Sequence, residues 1–110
     1  MNMEKLAKEL ELNNVEFKEL MEIFFKSGFS ELEKLRCAIF ENNSEKAFLA
    51  AHSIKGAAIN LGLIGLSEKA EFIENKARSD GLDNVKDILH ALEKEMKVTN
   101  TEVQKFCFEI

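Results

Sequence analysis

Proline, tryptophan and tyrosine are all absent from this 110-residue sequence, glycine occurs only 5 times and cysteine twice. A β-rich protein of this size draws on turn-forming and β-branched residues far more heavily, so the absences favour an all-helical chain. No apolar run approaches the ~20 residues that cross a bilayer. The opening Met1-Asn2-Met3-Glu4-Lys5 leads into a charged amphipathic stretch instead of the apolar core of a secretory leader. A cytoplasmic location away from membranes is expected. Basic residues are in deficit, 15 Lys and Arg against 20 Asp and Glu, giving a net charge of -5. That balance argues against nucleic acid, whose binding needs a basic stripe to displace phosphate counterions. Cys37 and Cys107 are far apart and form no CxxC pair, which suits two reduced thiols. Two separated histidines and two separated cysteines do not supply metal-ligand spacing, so no metal site is expected.

What is present is enough for one compact domain over 1–110: nearly half the residues are hydrophobic and about a third are charged. No linker, repeat or low-complexity stretch divides the chain. Leu6 and Leu10 suggest a short opening helix that ends near Asn13-Asn14. Phe17, Leu20, Phe24, Gly28, Leu32, Leu35 and Ile39 then recur at the three- and four-residue spacing of a helix face. One helix over about 15–41 is expected, bent near Gly28, with two shorter helices as the alternative; Ser30 and Glu33 offer a capping box for the second. Asn42-Asn43-Ser44 can cap a helix running to Leu61 and stopped by Gly62. A further helix carries Leu63, Leu66, Ala70, Ile73 and Ala77 and ends in the Ser79-Asp80-Gly81 turn. The last begins near Asp83 with Val85, Leu89, Leu92 and Met96 on one face. Thr99, Val103 and Phe106 keep the same phase, although Thr99 and Glu102 also fit a fresh helix start. Short connections between amphipathic helices predict an up-down antiparallel four-helix bundle with a short additional N-terminal helix.

The Ser44–Leu61 segment separates into two faces when each residue is rotated by about 100° from the last. Ala47, Ala50, Ala51, Ile54, Ala57, Ala58 and Leu61 gather broadly opposite His52 and are expected to be buried. Phe48, Lys55, Gly56 and Ile59 fall within about 60° of His52 and share its outward side. Periodicity alone thus places an imidazole in solvent, where its neutral form is a competent nucleophile near pH 7. Lys55 can offset the charge of a phosphoryl group transferred to that ring. Gly56 sits mid-helix, where glycine costs about 1 kcal/mol relative to alanine; the missing Cβ gives a partner clearance to close over the imidazole. Each feature also has an ordinary explanation. Histidines and lysines are common on solvated helix faces, Gly56 can serve helix packing, and Phe48 and Ile59 are either incidental exposed groups or a docking patch. His90, flanked by Ala91, Leu92, Glu93 and Lys94, has no lysine–glycine pair and reads as a solvated residue.

The run Ala50-Ala51-His52-Ser53-Ile54-Lys55-Gly56-Ala57-Ala58-Ile59-Asn60-Leu61-Gly62 resembles the signature of histidine-containing phosphotransfer (HPt) domains. That family carries an AHxLKG-like core with a second glycine six residues on, and here Ile54 stands in the usual leucine place. The likeness is strongest over 17–96 and includes the Leu66…Ile73-Glu74 pattern. The resemblance implies that His52 is the phospho-acceptor through Nε2, that Lys55 stabilises the phosphoryl charge, and that Gly56 provides steric clearance. It implies a phosphoryl carrier, not an enzyme, exchanging phosphate with aspartates of response-regulator receiver domains and fed by a sensor histidine kinase. Mg²⁺ belongs to the receiver, so the chain needs no cofactor of its own and is expected to act as a monomer; no Walker-type loop is present. Two alternatives stand beside the stand-alone relay: the N-terminal phospho-acceptor domain of a chemotaxis-type histidine kinase, and a non-catalytic helical interaction module in which His52 is incidental.

Overall fold

A computed structural model describes residues 2–79 and 81–108. Five helices follow one another: α1 (Met3–Glu9), α2 (Asn14–Phe40), α3 (Ser44–Asn60), α4 (Ile64–Ser79) and α5 (Lys86–Phe108). Helices α2 to α5 form the antiparallel bundle, with α3 packed against α4 and α2, and α5 closing the ring against α4 and α2. At about 1.5 Å per residue, the 27 residues of α2 span about 40 Å. That is nearly the full 44 Å length of the molecule, whose other dimensions are 20 and 18 Å.

Asparagines fix the starts of α1, α2 and α3. Asn13 caps α2 by accepting from the backbone N–H of Glu16, while the Glu16 side chain accepts from the N–H of Asn13. Asn43 caps α3 by accepting from the N–H of Lys46 at 3.0 Å. Ser30 and Glu33 make no cap. They lie inside a continuous α2, because Gly28 is where α2 meets α5: a Cβ there would stand 2.8 Å from the Met96 Cε. Gly28 therefore serves close packing, and the chain passes it as one helix. At the end of α3, Gly62 takes a left-handed φ of 75°. The N–H of Leu63 reaches the Ala58 carbonyl and that of Gly62 the Ile59 carbonyl, the paired bonds that terminate a helix at glycine.

The buried stripe of α2 is broader than the three-four series alone, adding Met21, Phe25 and Ala38 while Leu20 is only half-buried. A helix with neighbours on two sides must bury two adjoining rows. In α4 the expected residues Leu66, Ala70, Ile73 and Ala77 are buried, and so are Ser67 and Glu74 one position along. Helix α4 ends at Ser79 as expected, while Asp80 lies outside the described residues. Helix α5 begins at Lys86, not near Asp83, because Asn84 adopts a left-handed φ of 66°. It then runs unbroken through Thr99, with Phe106 meeting Phe17 at a ring separation of 5.7 Å. No described helix is long and apolar enough to cross a membrane.

Candidate functional site

The buried face of α3 comprises Ala47, Ala50, Ala51, Ile54 and Ala58, with Leu61 just beyond it. Ala57, expected in that set, is exposed. Counting about 100° per residue from His52, Ala57 lies at the margin of the buried arc. There it lines a shallow apolar groove with Leu20, Ile23 and Ser27 of α2. The buried arc is displaced toward α4, whose side of α3 carries Ala51 and Lys55. The small side chains Ala47, Ala51, Ala58, Ala70 and Ala77 permit this close α3–α4 contact. The buried Ser67 hydroxyl adds a hydrogen bond to the Lys55 carbonyl at 3.3 Å.

That contact brings Glu74 of α4 behind His52. Its side chain is only 2% exposed, yet both carboxylate oxygens are engaged. Oε2 lies 2.5 Å from His52 Nδ1, and Oε1 accepts from Lys55 Nζ at 2.7 Å. Arg78, one turn further along α4, places a guanidinium nitrogen 3.5 Å from the same Oε1. Burial pushes the Glu74 carboxyl up, but the hydrogen bonds and charges of Lys55 and His52 outweigh it and hold the group below its ordinary value. Glu74 is thus an ionised acceptor, and the His52 nitrogen facing it must carry the proton. The Nδ1–H donates to Glu74, and the lone pair is left on Nε2, at the other edge of the ring.

The ring itself is accessible, with 60% of the His52 side chain exposed. Phe48, one turn earlier, stacks on it at 5.8 Å with an interplanar angle of 11°, and the Arg78 guanidinium lies 5.5 Å from the Phe48 ring centroid. Gly56 has nothing within 4 Å of where a Cβ would project. Close helix packing at the Cβ position therefore does not explain this glycine, which leaves an open notch beside the imidazole. Ile59 is half exposed on the same surface. The structure thus gathers His52, Lys55, Gly56, Phe48 and Ile59 on one side of α3. His90 stands apart on α5, exposed, with the Glu93 carboxylate 3.8 Å away. The two cysteines are free thiols, and no cluster of three metal-ligating side chains exists among the described residues.

Two members of this site, Glu74 and Arg78, are not identified as functional by the sequence reading. Glu74 had a visible signal: it is a charged residue in the buried phase of α4, one turn from Ala70, where a carboxylate needs a partner. Arg78 follows one turn later, at the spacing of an i, i+4 ion pair.

The fold and the site together define a class: an antiparallel helical bundle that presents one carboxylate-anchored imidazole to other molecules. The sequence model of the Hpt domain matches residues 19–101, and the chain belongs to the Hpt domain family, the histidine phosphotransfer modules of phosphorelays. Members of this family are phosphocarriers that interact with histidine kinases and receiver domains. Two solved structures share the fold. Histidine-containing phosphotransfer protein B (HptB) from Pseudomonas aeruginosa PAO1 is 22% identical with a TM-score of 0.86, over 96% of this chain and 91% of that one. The HPT domain of a sensor hybrid histidine kinase from Shewanella is 14% identical with a TM-score of 0.82, over 100% and 95% of the two chains. No curated protein sequence matches the chain.

Proposed function

We propose that this chain carries a phosphoryl group on Nε2 of His52, between aspartates of response-regulator receiver domains. The supporting observation is the buried Glu74 carboxylate at Nδ1 of an exposed ring. An incidental surface histidine on an interaction module gives no reason to bury a carboxylate behind it. In the forward step the Nε2 lone pair bonds to the phosphorus of a receiver's aspartyl phosphate. The phosphorus–oxygen bond breaks, and the aspartate leaves with the electron pair. The Nδ1 proton stays on the ring, where Glu74 stabilises the positive charge that develops as Nε2 is substituted. Donation to the next receiver is the reverse. Lys55 acts twice, holding Glu74 in place and offsetting the added negative charge, while Gly56 lets the receiver approach.

The chain is then a carrier without catalysis of its own. It needs neither metal nor nucleotide, because Mg²⁺ in the receiver supplies the remaining charge stabilisation. We further propose that it works as a cytoplasmic monomer, served by a sensor histidine kinase and docking its receivers through Phe48 and Ile59. Incubation with phosphorylated receivers tests the central claim. Acid-labile, base-stable label should appear on the wild type and be absent from His52→Gln. A wild type left unlabelled across a broad receiver panel overturns the proposal.

A further inference from the structure

Lys55 is the cation expected beside the phosphoryl group, yet at rest it is committed elsewhere: its ammonium donates to Glu74 at 2.7 Å and its side chain is only 27% exposed. Arg78 is held differently. Its side chain is 62% exposed, one guanidinium nitrogen donates to the exposed Asn75 Oδ1 at 3.2 Å on the same helix, its ion contact with Glu74 is long at 3.5 Å, and its guanidinium lies 5.5 Å from the Phe48 ring. That ring in turn is stacked on the imidazole. Weak contacts of this kind keep a guanidinium near a place without fixing it there.

The charge balance indicates a use for it. Glu74, Lys55 and Arg78 together carry about +1. Phosphorylation of neutral His52 adds about -1, because the phosphoryl dianion at about -2 is partly offset by the positive ring that keeps its Nδ1 proton. With Arg78 the phosphorylated site stands near neutrality, and without it at about -1. A planar guanidinium also matches phosphoryl oxygens better than a single ammonium does. We infer that Arg78 is a second phosphoryl-binding residue: when His52 is phosphorylated, its guanidinium leaves Glu74 for the phosphoryl oxygens, while Lys55 stays on Glu74 and keeps the ring oriented. This inference rests on the assignment of His52 as phospho-acceptor.

Phosphoramidate provides a test that needs no receiver. The Nε2 lone pair forms the new nitrogen–phosphorus bond, the donor's phosphorus–nitrogen bond breaks, and ammonia departs. In a His90→Asn background one histidine remains, and the phosphoryl group can be titrated by ³¹P NMR with and without Arg78→Gln and Arg78→Lys. A guanidinium at the phosphoryl oxygens favours the dianion. The wild type should therefore lose its last phosphoryl proton about half a pH unit or more below Arg78→Gln, with Arg78→Lys keeping most of that difference. Superimposable titrations of folded wild type and Arg78→Gln overturn the role of Arg78 while leaving His52 as acceptor. If His52 takes no phosphoryl group from phosphoramidate or from receivers, the functional reading itself fails and the inference falls with it.

Discussion

His52 and Glu74 are 22 residues apart in the chain and 2.5 Å apart in the fold, joined through Nδ1 and Oε2. The bond fixes the tautomer, and its acceptor is a charged carboxylate. Glu74→Gln retains the size of the side chain but removes its charge. Phosphotransfer from a receiver should slow at least about tenfold, equivalent to about 1.4 kcal/mol of transition-state stabilisation. Stopped-flow or gel-based transfer rates decide this; an unchanged rate removes Glu74 from the mechanism.

The same residue makes a prediction about acid stability. The Glu74 carboxyl lies below its ordinary value of 4.5 in the folded chain. Its contribution to stability is therefore fully present above about that pH and is lost as the pH falls through the lowered folded value. Urea unfolding should show the wild type more stable than Glu74→Gln at pH 7, with the gap closing on acidification below 4.5. A gap independent of pH contradicts the ionised assignment.

Lys55→Ala leaves Oε1 of the buried carboxylate with only the longer Arg78 contact at 3.5 Å. A loss of about 1–3 kcal/mol is expected from a buried acceptor deprived of its partner, with the bundle still folded and phosphotransfer slower. Circular dichroism melts and transfer rates measured on one preparation separate the two effects. Normal transfer in this variant removes the charge-stabilising role.

Gly56 offers a case in which stability and function should move in opposite directions. Because a Cβ there meets nothing, Gly56→Ala should stabilise the chain by up to about 1 kcal/mol through helix propensity alone. Gly56→Leu should also fold, yet dock poorly to a receiver. Calorimetric titration against a receiver, beside thermal melts, checks both; undiminished receiver affinity and transfer in the leucine variant defeats the clearance argument.

Ile59 is half exposed and packs into no core. Ile59→Asp should change stability by no more than about 0.5 kcal/mol while weakening receiver binding severalfold. Equal affinity for both proteins excludes it from the docking surface.

The sequence was most legible where a single helix carried all the information. Rotation along α3 placed His52, Phe48, Lys55, Gly56 and Ile59 on one outward surface, because those directions depend only on helix geometry. It went astray at Ala57, at the edge of the buried arc, where the position of neighbouring helices decides burial. At Gly28 the single helix was legible but the reason for the glycine was not: the Met96 side chain that crowds it lies 68 residues away in sequence. Glu74 and Arg78 were the least legible. Their roles depend on how far α4 is shifted along α3, a quantity that no periodicity within either helix contains.

The position of Glu74 on α4 has a practical corollary. A synthetic peptide spanning only 44–62 reproduces every letter of the histidine signature, but it omits the carboxylate that fixes the imidazole tautomer. Grafting that segment onto an unrelated scaffold transplants the label without the chemistry, unless a second rod bearing an acid is set alongside at the native offset.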